Sequence, residues 1–407
     1  MSAAIANVSD LSDLRERAAE TFTKLGWPTT RSEEWRYTNL APLQKIDWRV
    51  DDAPLMVETT ATLAGRATLE LVFVNGQLVQ RTGESKFAQS AEPNIADWER
   101  NAMVALNAAN VQDGAWLDIP AGAVVDGFIH LLFIGKGDGI WSHPRNVITV
   151  GANANVAIVE TYVGTGSYFT NTVTEIVAGE GAVVEHYKLE YESPAAYHIG
   201  NVYIRQERGA NVTSRSIAIG GLLARNETHV VLAGEGASIT LDGLFVGTGT
   251  QHLDNHTVID HVSPHCDSLE LYKGVLDQNA RGVFDGLIIV RPGAVKTASR
   301  QTNRNLLLSE TAIVDSKPNL EIHNNDVKCN HGSTIGQIDE EALFYLRSRG
   351  IDENEARNLL VYAFASEIVD RMKLEPVREQ VRRALFQSLP ERLPERRAEG
   401  RGQRAEG

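Results

Sequence analysis

The stretch GANANVAIVETYVG, residues 151–164, decides the fold: a Gly-Ala pair, a short polar step, then side chains alternating at period two. Alternation of that kind marks a strand with one buried face. The pattern returns as GAVVEHYKLEY from Gly181, GANVTSRSIAIGG from Gly209 and GASITLDGLFVG from Gly236. Counted from Gly122 through Gly151, the Gly-Ala pairs advance by 29, 30, 28 and 27 residues, and Gly293 follows 57 residues after Gly236. A glycine turn and a strand, repeated at that step without helical periodicity between, require a stacked β architecture. An antiparallel sandwich announces its turns about every 8–12 residues instead. The longer constant step therefore favours a parallel β-helix, in which one period is one coil or more.

Upstream, Leu11, Leu14, Ala18, Phe22 and Leu25 share one face of a helix. Ser9 and Asp10 cap its start, and Gly26 and Pro28 end it. TLELVFVNGQLV, residues 68–79, reads as two strand arms around a type I′ turn at Asn75-Gly76. These features place a mixed N-terminal region over residues 1–100 and the β-helix core over 101–337. Downstream, Asp339 caps a helix that Gly350 stops, and Asp352 with Glu355 forms a box-like cap for the next. Leu360, Phe364, Ile368 and Met372 then line one face, and Val377, Val381 and Leu385 repeat the spacing after Pro376. A helical domain is expected over 338–388 and a disordered, Arg/Glu/Gly-rich tail over 389–407.

The 407 residues are 43% hydrophobic and 23% charged, ordinary for a globular protein. A net charge of −14 argues against nucleic acid or an anionic membrane as partner. No apolar run approaches the roughly 20 residues of a membrane span. The first residues lack the basic and apolar blocks of a secretory signal. With only Cys266 and Cys329 far apart in the chain, no disulfide framework is expected, and a reducing cytoplasm fits.

Two constellations bear chemistry. In QHLDNHTVIDHVSPHCD, residues 251–267, His252, His256, His261, His265 and Cys266 invite a zinc reading. Their spacing does not build a closed site, and stacked polar ladders in a β-helix use histidine as a hydrogen-bonding group. In DVKCNHGSTIGQ, Cys329 and His331 are two apart and share one strand face. A thiolate and an imidazole suit iron, a cluster or a soft metal, but two ligands need a partner to supply the rest. By residue type alone, a buried free cysteine next to a helix-capping loop is the favoured reading there. There is no phosphate-binding G-x-x-x-x-G-K-[ST] loop and no G-x-S-x-G elbow. Asp254, Asp260, Asp285 and Asp315 are carboxylates of the type a carbohydrate-active β-helix enzyme uses, with no spacing that singles out a pair.

The runs HLDNHTVIDHVSPHCDSLELYKGVLDQNARGVFDGLIIV, KTASRQTNRNLLLSETAIVDSKPNLEI and DVKCNHGSTIGQIDEEALFYLRSRGI, with the N-terminal TRSEEWRYTNL, resemble the SufD family. The resemblance implies a mainly β protein: a right-handed parallel β-helix core between an N-terminal helical region and a C-terminal helical domain. It implies a non-enzymatic scaffold of a SufBCD-type complex for iron–sulfur cluster assembly in the cytoplasm. The partners it implies are a homologous SufB-like subunit, a SufC-like ATPase docked on the C-terminal helices, and a desulfurase system that donates sulfur. A transient cluster or iron at the SufB interface, and reduced flavin in the complex, are the cofactors it implies. His331, as a metal contact, and Cys329 match the family's Cys-x-His-Gly motif. Leu360, Phe364, Ile368 and Met372 are the docking residues expected on the helices, and an isolated chain is expected to self-pair through its open β edge. The rival readings are a carbohydrate-active β-helix enzyme and a metal-binding protein built on the histidine run.

Overall fold

The computed structural model describes residues 12–51, 63, 67–83 and 95–388. The cap at Ser9 and Asp10, Leu11 of the first helix, and the tail at 389–407 lie outside them. The chain opens with helix α1 (Ser12–Leu25) and the hairpin β1 (Leu69–Val74) and β2 (Gln77–Gly83), followed by α2 (Ala102–Asn110). Then come β3 (Trp116–Ile119), β4 (Ile129–Lys136), β5 (Ile140–Ser142), β6 (Arg145–Val150), β7 (Asn155–Thr165) and β8 (Tyr168–Ala178). Next are β9 (Val183–Tyr191), β10 (Tyr197–Gln206), β11 (Asn211–Ala218), β12 (Leu223–Leu232) and β13 (Ser238–Gly247). The last strands are β14 (His252–His261), β15 (Asp267–Leu276), β16 (Arg281–Val290), β17 (Ala298–Leu307), β18 (Ile313–Ile322) and β19 (Lys328–Gly336). Three helices close the described chain: α3 (Glu340–Ser348), α4 (Glu353–Val369) and α5 (Glu375–Ser388).

From β7 onward successive strands alternate between two sheets, ordered β2-β1-β4-β7-β9-β11-β13-β15-β17-β19 and β3-β6-β8-β10-β12-β14-β16-β18. Every pairing except β1 with β2 is parallel. The result is a parallel β-solenoid of about eight turns. One coil contributes one strand to each sheet, so one sequence period is one coil. The hairpin is the first layer of this stack, since β1 pairs in parallel with β4. Asn75 and Gly76 both have positive φ, as the type I′ turn demands.

The turn grammar differs in one respect from the Gly-Ala spacing. The site that requires the left-handed conformation is occupied in successive coils by Gly122, Asn153, Gly181, Gly209, Gly236, His265 and Lys296, all with φ of 58–71°. Each donates its backbone N–H to the next coil's turn, as His265 does to Val295 at 2.9 Å. The residue after each is small: Ala154, Ala182, Ala210 and Ala237 are buried in the interior, and Cys266 takes the same slot. Gly151 stands two residues before this site; it is glycine because a Cβ there would lie 2.4 Å from the Ala121 nitrogen. The steps of 29 and 30 through Gly151 therefore mixed two positions of one turn.

The helices pack on the outside of the solenoid. Asp339 and Asp352 cap α3 and α4 by accepting backbone N–H groups, and Gly350 turns the chain with φ of 88°. Leu343, Val361, Ala365, Ile368, Met372, Val381 and Leu385 share one apolar cluster with Tyr187, Leu244, Leu271 and Val275 of the longer sheet's outer face. Lys273 is tied to α4 through the Phe364 carbonyl at 2.8 Å and Glu367 at 2.5 Å.

Candidate functional site: the open terminal coil

β18 and β19 end the two sheets, and no further strand covers them among the described residues. Alternation from the buried positions of β17 puts Cys329, His331 and Ser333 on the interior face of β19, aligned with Ser299, Gln301 and Asn303. Cys329 is half-buried against the interior cluster. Burial pushes its thiol up, opposed by the Ser299 backbone N–H that its sulfur accepts. His331 is exposed, with Nδ1 2.9 Å from the Pro318 carbonyl of β18. Ser333 and Ser316 hydroxyls lie 2.7 Å apart, joining the two strands across the interior. Ile313, Ile322 and Ile335 are exposed around this end, Ile335 at 53%. One coil earlier, the residues aligned with Ile322 and Ile335, Val290 and Asn305, are buried.

Cys329 and His331 are thus together on one face, as their spacing predicts. Among the described residues no group of three or more His, Cys, Asp or Glu is arranged to hold a metal ion.

The histidine run is distributed. His252 and His256 point outward from β14 and are engaged beneath the N-terminal segment. His252 Nε2 is 2.7 Å from Thr38 Oγ1, and His256 Nε2 is 2.9 Å from Asp254. Asp254 accepts from Thr38 and from Arg225 at 2.5 Å. Burial opposes the charge on Asp254, but Arg225 and His256 override it and hold the carboxyl well below the usual range. Trp35 covers Arg225 at 3.8 Å. His261 points inward and His265 fills the left-handed turn site. The carboxylates considered for a carbohydrate enzyme are each paired with a cation: Asp254 with Arg225, Asp260 with Arg291, Asp285 with Lys317 and Asp315 with Arg281.

The row expected to dock a partner has a different role in part. Ile368 of α4 and Met372, just past its end, are buried, and Leu360 and Phe364 pack against the same cluster, so this face of α4 and the turn after it hold the helices on the solenoid. The apolar side chains left exposed on the helices are Phe344, at 74%, Tyr345, Leu359 and Phe386. Spacing alone could not separate the two faces, because a helix with apolar residues on more than one side shows both. The N-terminal clamp of Trp35 and Thr38 was missed by residue reading, since its partners lie about 190–215 positions away.

The fold and site place the chain among the parallel β-solenoid proteins: an N-terminal clamp and three C-terminal helices flank the solenoid, and a thiol and an imidazole stand on its last coil. Residues 133–364 match the family described as SUF system FeS cluster assembly, SufBD core domain, and residues 3–66 match the SufBD protein N-terminal region. The chain belongs to the SufBD family of the SUF iron–sulfur cluster assembly system. It is 32% identical to an iron–sulfur cluster assembly SufBD family protein of Synechocystis, over 93% of this chain and 91% of that one. It is 30% identical to the iron–sulfur cluster assembly protein SufD of Escherichia coli, over 89% of each. It is also 29% identical to the chloroplastic protein ABCI7 of Arabidopsis thaliana, over 94% of this chain and 87% of that one. No helix among the described residues is long and apolar enough to cross a membrane.

Proposed function

We propose that this chain is the SufD-type, non-catalytic scaffold subunit of a cytoplasmic SufBCD-type complex. Its open coil meets a homologous SufB-like subunit, and iron or a nascent cluster is handled between them. The observation that carries the reading is the uncovered coil β18–β19, which presents Cys329 and His331 beside exposed isoleucines. Two protein ligands are half of what a tetrahedral iron or cluster site takes, so a partner completing the coil also completes the ligand set. Iron and the cluster are cargo here, and reduced flavin belongs to the assembled complex. Sulfur arrives from a desulfurase system.

A SufC-like ATPase docks on α3–α5 through the face carrying Phe344, Tyr345, Leu359 and Phe386. Since α3 follows β19 directly, ATP-driven movement of these helices shifts the strand that bears His331. This is a two-state interface biased by a partner's differential affinity. His331→Ala, co-expressed with the partner and the ATPase, should purify as an intact complex whose cluster yield on anaerobic reconstitution falls by about ten-fold or more. A normal yield would sink the assignment.

A further inference from the structure

Besides its apolar face, α4 has one carboxylate that gathers cations from three other places in the chain. Glu367 takes Lys273 Nζ of β15 at 2.5 Å, Arg304 Nη1 of β17 at 3.4 Å and Arg371 Nη2, just past the end of α4, at 3.3 Å. Arg371 in turn reaches Asp242 of β13 at 3.0 Å. The helix is thereby tied to three successive strands of the longer sheet. The ties differ in kind. Lys273 is buried, with its ammonium 4.5 Å from the centre of the Phe364 ring, whereas Arg304 is partly exposed. Among the described residues β17 is the only strand neighbour of β19 within the longer sheet, and Arg304 is aligned with Thr334 there.

We propose that Glu367 is a positioning residue for the last coil: through Arg304 it passes the stance of α4 to β17, and so to the strand that bears Cys329 and His331. The proposal deepens the reading of α3–α5 as helices that a partner moves, and rests on that reading for its purpose but not for its test. The peptide link to α3 pulls on β19 only at its end, Gly336, whereas Arg304 grips the strand paired along its length. The apolar cluster supplies adhesion without direction. A charged hydrogen bond does have direction, and it is lost once the helix slides by about an ångström. An exposed pair adds little to global stability. It therefore biases one stance of α4 without locking it, as a two-state element requires. The hydrogen bond from Lys273 holds the Glu367 carboxyl below the usual range, so the hub is charged at neutral pH.

The test is hydrogen–deuterium exchange of the isolated full-length chain, at a concentration where sedimentation shows one monomeric species. Exchange is read by mass on peptides of β19, with β9 as the reference. Arg304→Met should speed β19 by about three-fold, the scale of one exposed charge pair, with β9 and the thermal midpoint unchanged. Arg304→Lys keeps the cation and should match the wild type. Glu367→Gln should speed β19 at least as much, and adding Arg304→Met to it should change nothing further, because both act through one link. Glu367→Gln also strips buried Lys273 of its counter-charge, so the two Arg304 variants decide the matter if it does not fold. Wild-type β19 exchange in Arg304→Met, equal quickening in Arg304→Lys, or additive effects in the double variant would overturn the proposal. If ATP left β19 exchange unchanged in the assembled wild-type complex, the reading of moved helices would fall and the coupling seen in the isolated chain would stand.

Discussion

Glu270 stands on the interior face of β15 between Leu241 and Gln301, and it has no ion-pair partner among the described residues. Burial raises its carboxyl to about 7, against smaller opposing effects of Thr257 and Gln301, which donates to it at 2.7 Å. The folded state therefore holds this proton more tightly than the unfolded chain, whose glutamate titrates near 4.5. The stability tied to the proton is present below that value and is lost as the pH rises through about 7. Glu270→Gln should leave the urea midpoint unchanged near pH 4 and raise stability by on the order of 3 kcal/mol at pH 8. Equal midpoints at pH 8 would show that the carboxylate finds compensation the static interior lacks. His265 and Cys266 show why residue chemistry misled at this scale. Both look like ligands in the sequence, yet one holds a left-handed turn and the other fills a position that alanine fills in neighbouring coils. Their place follows from coil register, and register becomes readable only once the turn site is known to accept Asn, His and Lys as well as Gly.

At the scale of elements, the alternating strands were legible because each coil must bury one face, which imposes period two directly on the sequence. The N-terminal segment was not legible in the same way. Its 3-10 turn at Glu33–Trp35 carries no long periodicity, and its value lies in what it covers: Trp35 over Arg225, Thr38 on His252 and Asp254, Glu33 on Lys317 at 2.7 Å. Arg225, Asp254 and Glu227 form a buried ion network on the outer face of β12 and β14, costly unless fully partnered and shielded. Trp35→Ala removes the shield as well as the aromatic area, so it should cost about 3–5 kcal/mol, read as a lowered urea midpoint. Amide exchange should quicken in β12 and β14 and stay slow in β9 and β11 of the other sheet. Uniform quickening across both sheets would mean the segment stabilises the whole solenoid instead of this face. The ties that join Arg304 to Glu367 and Asp242 to Arg371 were likewise invisible to motif reading, since the partners lie 63 and 129 residues apart.

For the whole molecule, the two ends of the solenoid are unlike. The hairpin β1–β2 turns the longer sheet antiparallel at one end and so interrupts the parallel stack. At the other end, β18 and β19 keep free edges with apolar side chains around them, the arrangement that invites strand addition. The helices then place a second apolar surface, at Phe344, Tyr345, Leu359 and Phe386, on elements that are anchored to the outer face of the sheet. Two separate surfaces imply two separable partners, and charge introduced at one should spare the other. Ile335→Lys buries no charge in the free chain, because the residue is already exposed, so the fold should tolerate it. It should abolish co-purification with the homologous β-solenoid subunit, and any self-association of the isolated chain in sedimentation, while retaining the ATPase. Phe344→Ala with Tyr345→Ala should do the reverse, losing the ATPase and keeping the solenoid partner. If either change released both partners from a chain that still melts like the wild type, the two surfaces would be one interface. The last coil and the helices would then have to be read as a single docking unit.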